Sequence, residues 1–426
     1  MLTIIIIFAL TYLAIAMEHP LRVNKSASSL LGAGLLWTIY ATSLGDARTV
    51  SEQLGDSLTG TAQIVFFLMG AMTIVEVVDA HSGFDVITSR IKTTRLASLM
   101  WLIAAVTFVL SALLDNLTTT IVMVSLLGKL LDKRQDRLCL AGIVVIAANS
   151  GGAWSPIGDV TTTMLWIGGQ VTTLGIIKAL WLPSVVSMLV PLAVMSFLMR
   201  GRQVEAPPQS GHDAGRQASP FERNVMFLLG LAILVAVPVF KTITHLPPFM
   251  GILLGLGLLW LVGDLLHSNK DDQDKARLTL AHALSKIDMG SIMFFIGILL
   301  AVATLEHTHV LVALAGWLDR TVGRQDLIVL IIGIASAIVD NVPLVAASMG
   351  MYSLSTFPAD HFLWEFLAYC AGTGGSILII GSAAGVAAMG LERIQFGWYV
   401  RNISALALVG YLAGAGTYLL QHRLMG

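Results

Sequence analysis

The chain has 426 residues, of which 56% are hydrophobic and 12% are charged, and its mean hydropathy is +0.82. Because an ordinary soluble domain is about 25% charged, this composition excludes a soluble enzyme. The net charge of −1 excludes a nucleic-acid-binding chain, and two cysteines within apolar runs exclude a disulfide framework and a cysteine-based zinc site. At about 20 residues per crossing, the chain has room for about ten membrane helices. The sequence therefore predicts an all-α polytopic membrane protein.

Apolar stretches follow one another along the chain, and most have the length of a single crossing. They cover residues 2–17, 28–44, 62–80, 96–131, 138–168, 178–199, 224–240, 249–266, 289–305, 326–355, 362–389 and 397–420. No Lys or Arg precedes the first stretch, so we expect a retained helix there and not a signal peptide. The hydrophilic segment 200–223 is predicted to be a linker between two halves.

Two kinds of stretch depart from simple crossings. The long segments 96–131 and 326–355 contain Asp115-Asn116 and Asp340-Asn341 near their centres, and glycine-rich sequence interrupts 138–168 and 362–389. Glycine and proline interrupt a helix and leave carbonyl groups free. Such backbone is tolerated at membrane depth only where it lines a cavity or is buried in protein.

The chain contains an internal duplication. The sequence 111–117 matches 336–342 at an offset of 225 residues, 149–153 matches 372–376 at 223, and Phe66-Phe67 matches Phe294-Phe295 at 228. Three matches in the same order indicate two repeats, at about 1–199 and 224–420.

The distribution of basic residues predicts that the second repeat is inverted. Arg90, Lys92 and Arg95 precede the segment 96–131, and Lys133, Arg134 and Arg137 follow it. Basic loops are cytoplasmic, so we expect a re-entrant hairpin with both ends on one side. Each repeat then has five crossings, one hairpin and one broken helix. With both termini outside, 19 basic residues lie on the cytoplasmic side and 6 outside.

This combination of paired hairpins and broken helices in inverted repeats is typical of secondary transporters with a site at the membrane midplane. An aspartate at the bilayer centre costs about 2.5–3.5 kcal/mol on insertion scales, so two at matched positions indicate function. Carboxylate, amide and free carbonyl oxygens together suit a small hard cation such as Na⁺. The predicted ion site consists of Asp115, Asn116, Thr118, Thr119, Asn149, Ser150, Asp340, Asn341, Thr373 and Ser376, with Asp115, Asn116, Asp340 and Asn341 as the Na⁺ ligands.

Alternatives remain open at several of these positions. Asn116 and Asn341 bind the ion, cap the second arm of each hairpin, or do both. Asp159 follows the break in the first half, and its counterpart in the second half is Ser382, which weakens a direct ion role. Glu76 and Asp79 are three residues apart on one helix face, and with Asp159 they are candidates for proton access or pH sensing.

Three motifs resemble the NhaD family of sodium/proton antiporters, within a superfamily that includes arsenite permeases and sodium/dicarboxylate symporters. They are the sequences at 69–81, 115–120 and 151–163. The resemblance covers nearly the whole chain and implies an elevator-type homodimer. The symporters of that superfamily carry Ser-Asn-Thr at the hairpin tips, whereas this chain has Asp in both tips, which suits a bare cation better.

The resemblance also implies a division into a scaffold part and a moving transport part. The scaffold part consists of 1–95 and 224–310. The transport part consists of 96–199, with hairpin 96–131 and broken helix 138–168, and of 311–420, with hairpin 326–355 and broken helix 362–389.

The leading hypothesis is a Na⁺/H⁺ antiporter, with Li⁺ as a second candidate cation, that exports cytoplasmic sodium while cation and proton compete for the membrane carboxylates. An anion permease or symporter for arsenite or dicarboxylate is the alternative. An intramembrane aspartyl protease is a third reading, but its Gly-x-Gly-Asp signature is missing. We expect no enzymatic activity, no cofactor, no nucleotide and no nucleic acid, and we expect a multi-pass protein of a bacterial-type inner membrane.

Overall fold

The computed structural model describes residues 2–44, 46–88, 93, 95–204, 219–268, 271, 278–338 and 340–425. Over these residues the chain is helical, and its only strand-like pairing is an isolated bridge between Arg95 and Gln203. Most of the predicted linker lies outside the described residues. Six basic residues on which the predicted membrane orientation partly rests also lie outside them: Arg90, Lys92, Arg216, Lys270, Lys275 and Arg277.

The first half consists of ten helices in the described residues. They are α1 (Leu2–Ala16), α2 (Glu18–Leu21), α3 (Lys25–Leu44), α4 (Ala47–Ala80), α5 (Asp85–Thr88), α6 (Leu96–Leu113), α7 (Asn116–Leu130), α8 (Arg134–Ala153), α9 (Val160–Ile167) and α10 (Thr173–Leu198).

In the second half, the described helices are α11 (Pro220–Thr244), α12 (Pro248–Leu266), α13 (Leu280–Lys286), α14 (Met289–His307), α15 (Val310–Thr321), α16 (Gln325–Ala335), α17 (Asn341–Met351), α18 (Phe362–Gly374), α19 (Ala383–Glu392), α20 (Phe396–Tyr399) and α21 (Ala405–Met425). A short π-helix at Val400–Ser404 joins the last two. Across the described residues of both halves, seven helices are long and apolar enough to cross a membrane, and several shorter apolar helices accompany them. The chain is a multi-pass membrane protein.

Helix α4 is longer than its apolar stretch. It begins at Ala47, after Asp46, whose carboxylate accepts hydrogen bonds from the backbone N–H groups of Arg48 and Thr49. Its 34 residues correspond to about 50 Å at 1.5 Å per residue, which exceeds the roughly 30 Å hydrocarbon core. Hydropathy marked only residues 62–80 because the first turns of this helix are polar. Likewise, no apolar stretch predicted the amphipathic helix α15.

The segment 96–131 forms two helices, α6 and α7, whose outer ends lie close together. Leu96, at the start of α6, donates its N–H to the carbonyl of Arg202 at 3.1 Å. The Arg202 guanidinium pairs at 2.9 Å with Asp136, which follows α7 by six residues. Arg202 thus connects the start of α6 with the first turn of α8, the helix that follows the segment.

Each half packs its first hairpin arm against its broken helix through the same type of contact. In the first half, Ser111 Oγ donates to the carbonyl of Ala148 at 2.6 Å. In the second half, Ser336 Oγ donates to the carbonyl of Ala371 at 3.3 Å. These pairs lie at the offsets of the sequence repeat, so the duplication extends to side-chain contacts that hold the hairpin tips beside the helix breaks.

Candidate ion-binding site

A cavity of about 60 Å³ lies where the two hairpin tips meet the break between α8 and α9. It receives side chains from both halves of the chain and from α3, α4 and α14. The polar and charged residues that line it are Lys25, Asp115, Asn116, Thr118, Asp159, Thr163, Ser291, Asp340 and Asn341. Three carboxylates and one ammonium group therefore face the same small space.

Asp115 occupies the N-cap of α7. Its backbone is extended, and its carboxylate accepts hydrogen bonds from the N–H of Thr118 at 2.6 Å and from the Thr118 hydroxyl at 2.8 Å. An N-cap carboxylate satisfies backbone donors that have no partner within the helix. Asp340 occupies the N-cap of α17 in the same way, with a longer bond of 3.4 Å from the N–H of Val342. The aspartate of each tip is thus the cap, and the reading of Asn116 and Asn341 as caps is wrong.

The amide of Asn116 is free to make contacts across the site. Its nitrogen donates at 2.9 Å to Oδ1 of Asn149 and at 2.9 Å to Oδ2 of Asp159. Asn341 donates to the same Asp159 oxygen at 3.4 Å. The two tips therefore converge on the helix break of the first half.

Asp159 caps α9 and lies at the centre of this arrangement. Its Oδ1 atom accepts from the N–H and the hydroxyl of Thr161, both at 3.0 Å. The carboxylate is almost fully buried, with 2% exposure, and its Oδ2 atom receives the two tip amides. The structure thus places Asp159 among the predicted ion-site residues, although its counterpart in the second half is a serine.

Asn149 connects the helix breaks of the two halves. Its amide nitrogen donates at 2.9 Å to Oγ of Ser376 and at 2.9 Å to Oγ of Ser382. Because Asn149 also accepts from Asn116, one continuous hydrogen-bond network joins the first tip to both breaks. A fully connected buried polar network fixes the positions of its members.

Lys25 is a site residue that sequence reasoning missed. Its Nζ atom lies 2.8 Å from Oδ2 of Asp340 and 4.5 Å from the centroid of the Phe294 ring. From the sequence, Lys25 is one of the 19 basic residues that the orientation assigns to the cytoplasmic side. The available signal was its position three residues before the apolar stretch 28–44, close enough for the lysine to reach inward.

Asn149 and four other predicted ion-site residues do not line the cavity. Ser150 donates to Oγ of Ser187 at 3.3 Å, and the Thr373 hydroxyl donates to the carbonyl of Tyr369 at 2.6 Å. Ser376 accepts a hydrogen bond from Asn149, which connects it to the site. The buried hydroxyl of Thr119 has no hydrogen-bond partner among the described residues.

Of the three candidates for proton access or pH sensing, one lines the cavity and two do not. Asp159 lines the cavity, whereas Glu76 and Asp79 do not. Glu76 is half-buried on α4, and Asp79 is exposed near the end of that helix.

The cavity has the ligand chemistry of a hard monovalent cation. Carboxylate, amide and hydroxyl oxygens are the atoms that such ions prefer. Among the described residues, no three acidic, histidine or cysteine side chains cluster closely enough to hold a metal ion by themselves. A bound Na⁺ would therefore draw ligands from several residue types.

Comparison with known proteins identifies the family. The citrate transporter family, CitMHS, matches residues 12–365. Sodium/proton antiporter 1 of Arabidopsis thaliana is 49% identical over 98% of this chain and 72% of its own length. The Na⁺/H⁺ antiporter NhaD of Alkalimonas amylolytica is 30% identical over 97% of this chain and 89% of its own length.

A solved structure supports the same fold. The Alcanivorax borkumensis YdaH transporter aligns with a TM-score of 0.59 over 89% of each chain, at 12% sequence identity. At this identity the likeness concerns the fold alone. Together with the family match and the two antiporter relatives, the observations show that this chain belongs to the NhaD-type sodium/proton antiporters of the citrate transporter family.

Proposed function

We propose that this protein exchanges Na⁺ for H⁺ across a membrane. The observation that carries the proposal is the meeting of Asp115, Asp159 and Asp340 in one buried cavity formed by both halves. Relatives that match nearly the whole chain are named sodium/proton antiporters. A transport protein of this kind has no need of a bound cofactor, because Na⁺ and H⁺ are its substrates.

Competition for the same carboxylates provides the coupling. A protonated carboxyl group is a poor ligand for Na⁺, whereas the ionised form offers two oxygens with negative charge. Na⁺ therefore binds when protons leave, and protons displace Na⁺ when they return. If the site faces one side of the membrane at a time, this competition exchanges one ion for the other.

We extend the proposal to the motion and the assembly. The transport part, 96–199 and 311–420, moves against the scaffold part, 1–95 and 224–310, in a homodimer. Helix α8 packs against α18 and α19, so the broken helices of the two halves can move as one body. The setting is a bacterial-type inner membrane with both termini outside, where inward proton flow drives sodium export.

An anion substrate fits the cavity less well. The family description names citrate, whose carboxylates would need a cationic partner. Lys25 is the ammonium group that lines the cavity, and it is already paired with Asp340. Two further carboxylates, Asp115 and Asp159, would repel an anion.

Exchange in proteoliposomes tests the proposal. The vesicles contain a pH-sensitive dye and an acidic interior, and Na⁺, Li⁺, K⁺ or citrate is added outside. We expect Na⁺ to cause proton efflux through the wild type and not through Asp115→Asn or Asp340→Asn. Asp264→Asn is the matched control, because Asp264 is an exposed carboxylate on the apolar helix α12. A response to citrate alone would contradict the proposal.

A further inference from the structure

The two hairpin tips are equivalent in sequence but differ in charge compensation. Asp340 pairs with the ammonium group of Lys25 at 2.8 Å, whereas the Asp115 carboxylate accepts hydrogen bonds from the uncharged Thr118. The pair is largely buried, with side-chain exposures of 24% for Lys25 and 14% for Asp340. The repeat therefore has one charged tip and one tip whose charge is neutralised from outside the hairpin.

The surroundings of Lys25 direct its ammonium group toward Asp340. The aromatic ring of Phe294 lies beneath Nζ, at 4.5 Å from the nitrogen to the ring centroid. Two other carboxylates are near, but both have backbone partners. Glu18 accepts from the backbone N–H of Lys25 at 3.2 Å, and Asp288 accepts from the N–H of Ser291 at 3.1 Å at the start of α14.

The pair joins the two parts of the proposed elevator. Lys25 begins α3, in the scaffold part, and Asp340 caps α17, in the transport part. Any displacement of one part against the other by more than the reach of the lysine side chain breaks the pair. Separating a buried ion pair leaves two uncompensated charges, so the displacement is strongly disfavoured while both groups are charged.

We propose that Lys25 is a latch that holds the unloaded transport part in place. While Asp340 carries no substrate, its charge binds Lys25 and the transport part stays. When Na⁺ binds at Asp340, the two cations repel each other and the pair opens. The loaded carrier is therefore released, and the empty carrier does not cross.

The latch explains why exchange is obligatory. An antiporter whose empty site crosses the membrane releases Na⁺ on one side and returns without a counter-ion, which dissipates the gradient. Passage of the empty site across the membrane stays rare only if contacts within the empty protein disfavour it, however tightly the substrates bind. Lys25 provides such a contact, acting as a positioning residue and not as a ligand. This inference rests on the proposed antiport and on the proposed division into two parts.

The test measures Na⁺ efflux with and without an opposing ion. Proteoliposomes are loaded with radioactive Na⁺ and diluted into Na⁺-free buffer at alkaline pH on both sides, with the membrane potential clamped. The readout is the ratio of this one-way efflux to Na⁺/Na⁺ exchange. Lys25→Met removes the charge and keeps a side chain that packs on Phe294, and Lys25→Arg keeps the charge.

Lys241→Gln is the control for a contact without a titratable partner. The Lys241 ammonium lies 4.3 Å from the centroid of the Trp166 ring and donates to the carbonyl of Trp166, which neither Na⁺ nor H⁺ titrates. Lys241 lies on α11, in the proposed scaffold part, and Trp166 lies on α9, in the proposed transport part. The contact therefore also joins the two parts. We expect the efflux ratio to rise roughly tenfold or more in Lys25→Met and to remain at the wild-type value in Lys25→Arg and Lys241→Gln.

Other outcomes decide against the latch. If Lys25→Met is folded, as judged by thermal melting, and keeps the wild-type ratio or loses both modes of transport, Lys25 is not a latch. If the variant does not fold, labelling of wild-type Lys25 by an amine-reactive reagent gives the answer. Labelling must increase when Na⁺ is added, and unchanged labelling overturns the inference. Wild-type vesicles without any exchange would instead refute the proposed function.

Discussion

Asn116 and Asn341, which are 225 residues apart in the chain, direct their amide groups to the same oxygen of Asp159, at 2.9 Å and 3.4 Å. A single carboxylate atom thus receives one donor from each hairpin tip. The tips cannot separate from the break between α8 and α9 without breaking these bonds. Asp159 is therefore the point at which the two halves meet at the candidate site, and its state affects both tips.

We predict that Asp159→Asn raises the apparent KM for Na⁺ by about tenfold or more, because hydrogen bonds to a charged group contribute roughly 1.5–3 kcal/mol each. The new amide also offers a donor where Asn116 requires an acceptor. Proton efflux against Na⁺ concentration measures the effect. Asp56→Asn, on the exposed surface of α4, serves as the control. An unchanged KM would show that Asp159 only caps α9.

Valine substitutions at the neighbouring residues Thr118 and Thr119 of α7 should have different effects on Na⁺ affinity. The Thr118 hydroxyl donates to Asp115 at 2.8 Å and lines the cavity, whereas the buried Thr119 hydroxyl has no partner among the described residues. We expect Thr118→Val to lower the apparent Na⁺ affinity by about tenfold, the value of a charged hydrogen bond. Thr119→Val should leave exchange unchanged and raise the melting temperature, because a methyl group replaces an unsatisfied hydroxyl.

The Na⁺ titration of both variants distinguishes these roles. If Thr119→Val lost Na⁺ affinity as much as Thr118→Val, Thr119 would belong to the ion site, as the sequence predicted. If exchange were unchanged in both variants, neither the Thr118 hydroxyl nor the Thr119 hydroxyl would be part of the site.

The sequence predicted the helix breaks because each break is local. Aspartate and glycine within an apolar run are visible without knowledge of the fold, and both segments 96–131 and 326–355 do break at their aspartates. Residues 118 and 119 show the limit of this reasoning. Successive helical residues point about 100° apart, so the sequence places both near the site but does not decide which one faces it.

Contacts between distant residues were beyond sequence reasoning for a different reason. Lys25 and Asp340 are 315 residues apart, and Asn149 and Ser382 are 233 apart. Whether such residues meet depends on how the two halves pack, which no periodicity encodes. The sequence consequently predicted a function for the aspartates and did not find the lysine that neutralises one of them.

We predict that Gly151 and Gly374, which occupy matched positions beside the helix breaks of the two halves, cannot be replaced by a residue with a side chain without loss of stability. A Cβ atom on Gly374 would overlap the backbone carbonyl of Gly333, and one on Gly151 would overlap that of Phe108. Backbone atoms cannot move aside as a side chain can. We expect Gly374→Ala and Gly151→Ala to lower the free energy of unfolding by about 1–3 kcal/mol, the usual cost of overpacking.

Gly128→Ala provides the control, since a Cβ atom on this residue of α7 would meet no atom of another described segment within 4 Å. Alanine there should be neutral or stabilise by about 0.5–1 kcal/mol, because glycine is unfavourable within a helix. Thermal melting in detergent measures all three. A Gly374 variant as stable as the Gly128 variant would mean that α16 and α18 are farther apart than the structure shows.

The last prediction concerns His361, which lies in the loop before α18 and caps this helix. Its Nδ1 atom accepts from the N–H of Leu363 at 3.1 Å, which requires an unprotonated nitrogen. Burial, with a smaller contribution from His422, lowers the pKa of His361 below its ordinary value. The unfolded chain therefore takes up the proton first, as the pH falls through about 6.5, and the stability that the neutral cap provides is lost from there downward. His361→Asn keeps a cap that does not titrate. We expect the melting temperature of the wild type, relative to this variant, to fall between about pH 8 and about pH 5. A difference that stays constant over this range would show that His361 does not titrate with folding.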